Sequence, residues 1–273
     1  MRFSKMHGAG NDFIVLDRRD GSAAPPRDTL ARMADRHRGI GCDQVMIITA
    51  PQRPGSLAAY RIVNQDGSDA GQCGNGARCV AAWLHRDGAL HDEAVLDSPG
   101  GAVRARVLDD GIEIELRPPR FDAADIPMAR IDPDAGGYRL RIADVDIRFG
   151  AVSMGNPHLV IEVADVAAAP VALAPALQAH PAFPDSCNIG FVQVIDRAQL
   201  RLRVIERGVG ETLACGSAAC AAHAWLRRLD RVDARSDIDL PGGRLRVAWA
   251  GAADEPVRLG GPATFVFEGT WHS

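Results

Sequence analysis

The chain has 273 residues, of which 47% are apolar, and a formal net charge of -4, so it can build substantial cores in one large domain or two ordinary ones. The slight acidic excess argues against nucleic-acid or membrane-surface binding, which requires clustered basic residues. No apolar run reaches the roughly 18 residues of a membrane span, and Met1–Asp17 lacks the features of a signal peptide. These observations predict a cytoplasmic protein.

The first half of the chain alternates strand patterns with one helix pattern. A strand-like segment covers Arg2–Asp17, and a Cys-Gly turn at Cys73 leads into an Ala-rich pattern that predicts a helix over Asn75–Asp87. Further strand patterns cover Gln44–Thr49, Ala59–Asn64, Val103–Val107 and Ile112–Leu116.

The second half of the chain has the same kinds of strand and helix pattern. A Cys-Gly turn at Cys215 precedes a predicted helix over Ser217–Leu229. Its strand patterns cover Leu159–Val163, Phe191–Ile195, Arg201–Ile205 and Leu245–Trp249, and a last one covers Ala263–Glu268.

The two halves are copies of one unit, because six short matches recur in the same order at an offset of 142 to 145 residues. The matched pairs are Gly10-Asn11 with Gly155-Asn156, Gln44 with Asn188, Asn64 with Glu206, Cys73-Gly74 with Cys215-Gly216, Ala82-Trp83-Leu84 with Ala224-Trp225-Leu226, and Pro99-Gly100-Gly101 with Pro241-Gly242-Gly243.

The repeat predicts an α+β fold with two pseudo-symmetric domains, each a curved, mostly antiparallel sheet or barrel around a central helix. We place the first domain at residues 1–117, with the C-terminal strand 263–273 returning to it, and the second at 118–262. Equivalent loops of two such copies would face each other, which predicts an active site in the interdomain cleft.

The repeat also sorts the six cysteines. Only Cys73 and Cys215 occupy equivalent positions, whereas the other four are interpreted as buried small apolar residues. They are Cys42, Cys79, Cys187 and Cys220.

Several cofactor sites find little support in the sequence. The cysteine spacings do not match a zinc knuckle, and no acidic cluster suits a divalent cation. Lys5 is the only lysine and has no Gly-rich phosphate cup beside it, which disfavours pyridoxal phosphate. Gly8-Ala-Gly10 lacks the third glycine of a dinucleotide site, and Asp12 is interpreted as a loop brace. We therefore expect no metal and no cofactor.

Cys73 and Cys215 each stand immediately before a predicted helix. Unpaired N–H groups and the helix dipole at that position favour negative charge, so the sequence predicts a lowered thiol pKa there. The N–H groups of Gly74, Asn75, Gly216 and Ser217 would hold a substrate carboxylate and the enolate-like charge that follows deprotonation of the adjacent carbon. A thiol on each face of one carbon is what inversion of a stereocentre requires.

The sequence resembles the diaminopimelate epimerase family, a pyridoxal-independent group of amino-acid racemases and epimerases, over nearly its whole length. The segments that carry the resemblance are Lys5–Phe13, Asn64–Gly67, Gln72–Cys79, Ser153–His158, Asn188–Phe191, Glu206-Arg207, Gly210–Thr212 and Ala214–Ser217.

The resemblance implies cofactor-independent conversion of LL-2,6-diaminopimelate to the meso isomer, in lysine and peptidoglycan precursor biosynthesis, by a homodimer. It also implies that Cys73 and Cys215 transfer the protons and that His158 and Glu206 support them. Arg207 and the Asn side chains would read the distal carboxylate and amine. The implied substrate-binding residues are Asn11, Gln44, Asn64, Gly74, Asn75, Asn156, Asn188, Glu206, Arg207, Gly216 and Ser217.

Ala218 departs from the family pattern, which usually has glycine at that position. Three other functions remain open: a racemase of the same architecture acting on proline or hydroxyproline, a thiol redox protein, and a non-enzymatic small-molecule-binding module. Arg207 separates the first of these from the diaminopimelate interpretation, because only a dicarboxylate substrate needs a second cation.

Overall fold

The computed structural model describes residues 1–129, 131, 133–134, 136–142 and 144–272. The chain divides into two units, one formed by Met1–Glu115 with Gly260–Ser273 and the other by Leu116–Leu259. Among the described residues, no helix is long and apolar enough to cross a membrane.

The elements of the first unit follow the predicted order with additions. They are β1 (Arg2–Gly8), β2 (Asn11–Arg18), α1 (Arg27–Ala34), β3 (Gln44–Thr49), β4 (Ala58–Asn64), α2 (Gly74–Arg86), β5 (Glu93–Ser98), β6 (Gly101–Leu108) and β7 (Gly111–Leu116).

The remaining elements belong to the second unit, except for β16, which crosses the boundary between the units, and the last strand, which belongs to the first. They are β8 (Tyr138–Ile142), β9 (Val145–Ser153), β10 (Pro157–Glu162), α3 (Ala174–Gln178), β11 (Asn188–Val194), β12 (Gln199–Glu206), β13 (Gly210–Thr212), α4 (Gly216–Arg228), β14 (Arg235–Leu240), β15 (Gly243–Ala248), β16 (Val257–Gly261) and β17 (Thr264–Thr270). Short 3-10 turns cover Ala123–Asp125, Val166–Ala168 and Val171–Leu173.

The two units share one pattern of strand pairing, which confirms the α+β fold and the internal repeat. In the first unit, β17, β1 and β2 pair antiparallel, β3 runs parallel to β2, β4 antiparallel to β3, β5 parallel to β4, and β6 antiparallel to β5. In the second unit, β8, β9, β10, β11, β12, β14 and β15 pair with the same alternation of directions.

The expectation of one strand-like segment over Arg2–Asp17 is wrong in one respect. The segment folds back at Ala9-Gly10, both of which have positive φ (52° and 85°), to form the β1–β2 hairpin. Such a two-residue turn matches the twist of paired strands, and it places Asn11 at the start of β2.

The two long helices are buried because their faces consist largely of alanine, cysteine and leucine. In α2, Ala77, Cys79 and Val80 are inaccessible or nearly so, and in α4 the same holds for Ala219 and Cys220. Small side chains let the surrounding strands approach the helix backbone closely. Each helix therefore packs against strands of its own unit, α2 against β1, β2, β3 and β6, and α4 against β9, β10, β11 and β15.

Candidate active site

Cys73 is the N-cap residue of α2. Its backbone is extended (φ -146°, ψ 109°), and its Sγ accepts a hydrogen bond from the N–H of Gly76 at 3.4 Å. The sulfur therefore takes the place of the capping oxygen at a helix start, where negative charge is favoured.

Asn11 lies directly against Cys73. Its Oδ1 accepts from the Cys73 thiol at 3.7 Å and from Asn75 Nδ2 at 3.2 Å. The thiol thus has a donor on one side and an acceptor on the other, so the same site accommodates both the thiolate and the protonated sulfur.

Gln44 and Asn64 face each other on β3 and β4 of the same unit. They are register partners, and Gln44 Nε2 donates to Asn64 Oδ1 at 3.0 Å. Asn64 Nδ2 in turn donates to Ser68 Oγ at 3.1 Å. The first unit therefore brings its predicted amide side chains to the strand ends, held by one another.

Cys215 is the N-cap residue of α4, with the same extended backbone (φ -126°, ψ 111°). Its Sγ lies 3.5 Å from Ser217 Oγ, and the residue is only 7% exposed. Asn156 Nδ2 donates to the same Ser217 hydroxyl at 3.5 Å.

The expectation of a lowered thiol pKa is wrong for Cys215. Burial raises the pKa of this thiol well above its usual range, and the negative charge of Glu206, whose carboxylate also accepts a hydrogen bond from the thiol, raises it further. These effects outweigh the donors at the helix start, so Cys215 is a thiol at neutral pH. Glu206 is held by the Thr212 hydroxyl, which donates to its Oε1 at 2.7 Å.

His158 is fully buried beside Asn156, whose Oδ1 lies 3.0 Å from its Nε2. Burial, with a smaller contribution from the charge of Arg207, lowers the pKa of His158 to about 3. The imidazole is therefore neutral at physiological pH, which suits a hydrogen-bonding role better than that of a resting proton donor.

Asn188 and Arg207 are joined by a hydrogen bond in the second unit. Asn188 is buried, with Nδ2 donating to the carbonyl of Pro157 at 3.2 Å and Oδ1 accepting from the backbone N–H of Arg207 at 3.0 Å. The exposed Arg207 side chain donates to the carbonyl of Asp185 at 2.7 Å. Asn188 thus braces the loop that carries Arg207, in addition to any contact with a ligand.

The four backbone positions assigned to a carboxylate cradle are the first residues of the two long helices. Gly74 and Asn75 begin α2, and Gly216 and Ser217 begin α4. The first N–H groups of a helix have no partner within it and are oriented for an anion.

Three of the other cysteines are poor nucleophiles. Burial raises the pKa of Cys42, Cys79 and Cys187 to about 12, and Cys220 is fully buried. Of the six thiols, only Cys73 and Cys215 cap helices. In the part of the chain that the structure describes, no group of three His, Cys, Asp or Glu side chains could hold a metal ion.

Sequence reasoning missed two residues that hold predicted site residues in place, one in each unit. Thr212 lies within the segment Gly210–Thr212, which carries the family resemblance without suggesting a partner for Glu206. Asp43 directly precedes Gln44 and contacts Asn11. Neither contact could be predicted from the sequence, because each partner lies on a different strand.

The model of the family described as diaminopimelate epimerase matches residues 3–121 and 150–266. The chain belongs to the diaminopimelate epimerase family. The resemblance seen in the sequence is thereby confirmed, and the chain is an isomerase of the epimerase type.

Similar proteins cover the whole chain. A diaminopimelate epimerase of Xanthomonas euvesicatoria pv. vesicatoria (strain 85-10) is 54% identical and matches all of this chain and 96% of its own length. One from Xylella fastidiosa (strain M12) is 53% identical with the same coverage. Among solved structures, a hydroxyproline epimerase from Agrobacterium vitis superposes with a TM-score of 0.70 at 16% identity, covering 98% of this chain and 91% of that one. This last likeness shows the fold.

Proposed function

We propose that the chain converts LL-2,6-diaminopimelate to meso-diaminopimelate with no cofactor, using Cys73 and Cys215 as the two proton-transferring groups. The observation that carries the proposal is that each unit presents one thiol at the N-cap of its buried helix. The family and the names of its relatives support the substrate.

In the proposed reaction, one sulfur as thiolate takes the α-hydrogen of the substrate as a proton. The C–H bond breaks, an S–H bond forms, and the electron pair is delocalised into the neighbouring carboxylate. The other sulfur, as thiol, then gives its proton to the opposite face of the carbon. No electrons are gained or lost overall, and the two sulfurs exchange protonation states, so the reverse reaction uses the same groups in exchanged roles.

The N–H groups of Gly74, Asn75, Gly216 and Ser217 are proposed to hold the reacting carboxylate and the charge that it gains. Asn11, Gln44, Asn64, Asn156, Asn188 and Glu206 would bind the rest of the substrate, with Arg207 paired to the distal carboxylate. Neutral His158 orients Asn156, which contacts Ser217 beside Cys215.

The proposed reaction belongs to lysine and peptidoglycan precursor synthesis and requires reduced thiols. A reducing cytoplasm provides them, and the structure holds all six cysteines as thiols. We therefore place the activity in the cytoplasm.

The experiment follows the α-carbon of LL-diaminopimelate by NMR in reduced, deuterated buffer without added cofactor. Wild type should incorporate deuterium and form the meso isomer, whereas Cys73→Ser and Cys215→Ser should each lose at least about 10²-fold in rate, since a hydroxyl is a far weaker acid than a thiol and provides no anionic base at neutral pH. Cys42→Ser, at a buried cysteine outside the site, is the matched control and should retain activity.

Trans-4-hydroxy-L-proline is the comparison substrate in the same experiment, because a hydroxyproline epimerase shares the fold. Exchange with hydroxyproline and none with diaminopimelate would refute the substrate assignment while leaving two-thiol chemistry in place. Exchange with neither substrate would refute both.

We further propose that the chain forms a homodimer through β17. Val266 and Phe267 on this strand are 54% and 48% exposed, so the strand carries an exposed apolar side chain on each of its faces, and exposed apolar surface marks association sites. Analytical ultracentrifugation should give a dimer for wild type and a monomer for Phe267→Glu. A monomeric wild type would contradict the proposal.

A further inference from the structure

A network of charged side chains surrounds Asn11 on the side away from Cys73. Lys5 and Asp12 lie on the β1–β2 hairpin, whereas Arg36 and Asp43 lie on the segment between α1 and β3. The hairpin residue Asn11 connects this network to the thiol, because it contacts both Asp43 and Cys73.

Asp43 makes the direct contact with the amide of Asn11. Its Oδ2 accepts from Asn11 Nδ2 at 2.7 Å and from the backbone N–H of Asp12 at 3.1 Å. An ionised carboxylate can only accept hydrogen bonds, so the Asn11 amide must turn its NH2 group toward Asp43. Its carbonyl oxygen then faces Cys73 and Asn75.

Asp43 is itself held from two sides. Arg36 Nη2 donates to Asp43 Oδ1 at 2.7 Å and to Asp12 Oδ1 at 2.8 Å, which ties the two carboxylates together. The backbone N–H of Asp43 donates to Asp12 Oδ1 at 2.9 Å. The carboxylate of Asp43 therefore has little freedom to leave Asn11.

Asp12 anchors the network to the hairpin. The Lys5 ammonium, which is almost buried, donates to Asp12 Oδ2 at 2.6 Å and to the carbonyl of Gly41. Burial of the Asp12 carboxyl raises its pKa, but hydrogen bonds from Arg36 and Lys5 outweigh this and bring the pKa to about 2. The Asp12 carboxylate therefore remains ionised throughout the neutral pH range.

We infer that Asp43 is a positioning residue for Cys73, because its carboxylate fixes the Asn11 amide with the oxygen, and not the NH2 group, toward the thiol. The inference rests on the proposed role of Cys73 in proton transfer. An oxygen at that place accepts the S–H that forms when Cys73 takes a proton. A reversed amide would donate to the sulfur instead and favour the thiolate.

The experiment measures the pH dependence of Cys73 alkylation by iodoacetamide, with the modified peptide quantified by mass spectrometry. In Asp43→Asn the side chain at 43 can donate as well as accept, so it no longer requires the Asn11 amide to present its NH2 group, and of these two contacts only the bond from Asn75 Nδ2 still favours the original orientation. The alkylation midpoint of Cys73 should then move to lower pH, by about half a unit or more.

A double-substitution cycle separates positioning from a direct effect of charge. In the Asn11→Ala background, Asp43→Asn should leave the Cys73 midpoint unchanged, because the amide that transmits the effect is gone. An equal shift in both backgrounds, or none in Asp43→Asn alone, would overturn the inference.

Asp69→Asn is the matched control, since Asp69 pairs with Arg61 at the surface (2.8 Å) and should not affect Cys73. If Asp43→Asn does not fold, wild type labelled with 15N at asparagine provides the test. The Asn11 NH2 protons should exchange slowly with solvent, as expected of an amide held against a carboxylate, and fast exchange would overturn the inference. Alkylation reports on one thiol whatever the substrate, so it distinguishes failure of this inference from failure of the proposed function.

Discussion

At the scale of single residues, the two thiols differ in what lies beside them. Cys73 contacts the amide of Asn11, whereas Cys215 contacts the carboxylate of Glu206. The repeat makes Asn64 the counterpart of Glu206, so the second unit has an acid where the first has an amide. The chemistry of two equivalent cysteines is thus set by residues that are not equivalent.

We expect Glu206→Gln to lower the pKa of Cys215, because the substitution removes the negative charge that opposes the thiolate. Peptide-resolved alkylation of Cys215 as a function of pH measures the change. Glu211→Gln is the control, since Glu211 pairs with Arg203 at 2.8 Å and does not contact the thiol. A Cys215 titration that is the same in wild type and Glu206→Gln would contradict this account.

At the scale of elements, α4 packs closely against β9 because Gly150 has no side chain. A Cβ on Gly150 would lie 2.2 Å from ring carbons of Trp225, and Gly137 also lies under that ring. The indole therefore occupies the space above two glycines. Trp83, the counterpart on α2, instead donates its Nε1–H to Ser4 Oγ at 3.1 Å and lies under Arg19.

We expect Gly150→Ala to lower the free energy of unfolding by about 3 kcal/mol, because neither the strand nor the indole can move without disturbing the core. Urea unfolding measures the loss. Gly71→Ala places a methyl in open space at ordinary φ and should change stability by less than about 0.5 kcal/mol. Equal effects of the two substitutions would refute the packing argument.

Ala218 is explained by packing at the same scale. Its counterpart Gly76 lies under Met46, whose Sδ would be 2.8 Å from a Cβ there. Strand registers pair Val15 with Met46 and Val160 with Gly190, so Gly190 is the counterpart of Met46. The second unit lacks the methionine side chain, which leaves room for the methyl group of Ala218.

At the scale of the whole molecule, the two units differ in which ionisable groups have shifted pKa values. The second unit buries His158 and His223, whose pKa values burial lowers to about 3 and about 4, with a smaller contribution from Arg207 and Arg227 respectively. In the first unit, Asp12 stays ionised down to about pH 2. Mild acid should therefore weaken the second unit first.

Protonation of the two histidines should lower the free energy of unfolding, because the folded state binds these protons more weakly than the unfolded state does. Both histidines have folded-state pKa values below the unfolded value of about 6.5, so their contribution is present above that pH and is lost as the pH falls. At pH 5 each should cost about 2 kcal/mol of unfolding free energy relative to pH 7. Urea unfolding at pH 5 and pH 7 measures this loss of unfolding free energy. Hydrogen exchange in peptides from α4 shows whether the second unit is the one affected.

His223→Gln should remove about half of that loss between pH 7 and pH 5, whereas His37→Gln, at an exposed histidine of the first unit, should remove none. An unchanged pH dependence in His223→Gln would contradict the buried-histidine account.

Local patterns in the sequence were sufficient to predict much of the secondary structure. The repeat, the helices after Cys73 and Cys215 and strands such as Gln44–Thr49 follow from periodicity and turn residues, which act over a few neighbours. Less regular elements, such as α1 and β9, were not predicted, because α1 has no side-chain cap and β9 is buried on both faces in its second half.

What the sequence by itself determined is that two copies of one unit each place a cysteine at a helix start. Only the tertiary structure decided what each sulfur contacts: Asn11, 62 positions away and held by Asp43, for Cys73, and Glu206, held by Thr212, for Cys215. The physical reason is that the two kinds of interaction join residues at different separations along the chain. Capping and periodicity depend on adjacent residues, whereas these contacts require several separately folded elements to meet in one register.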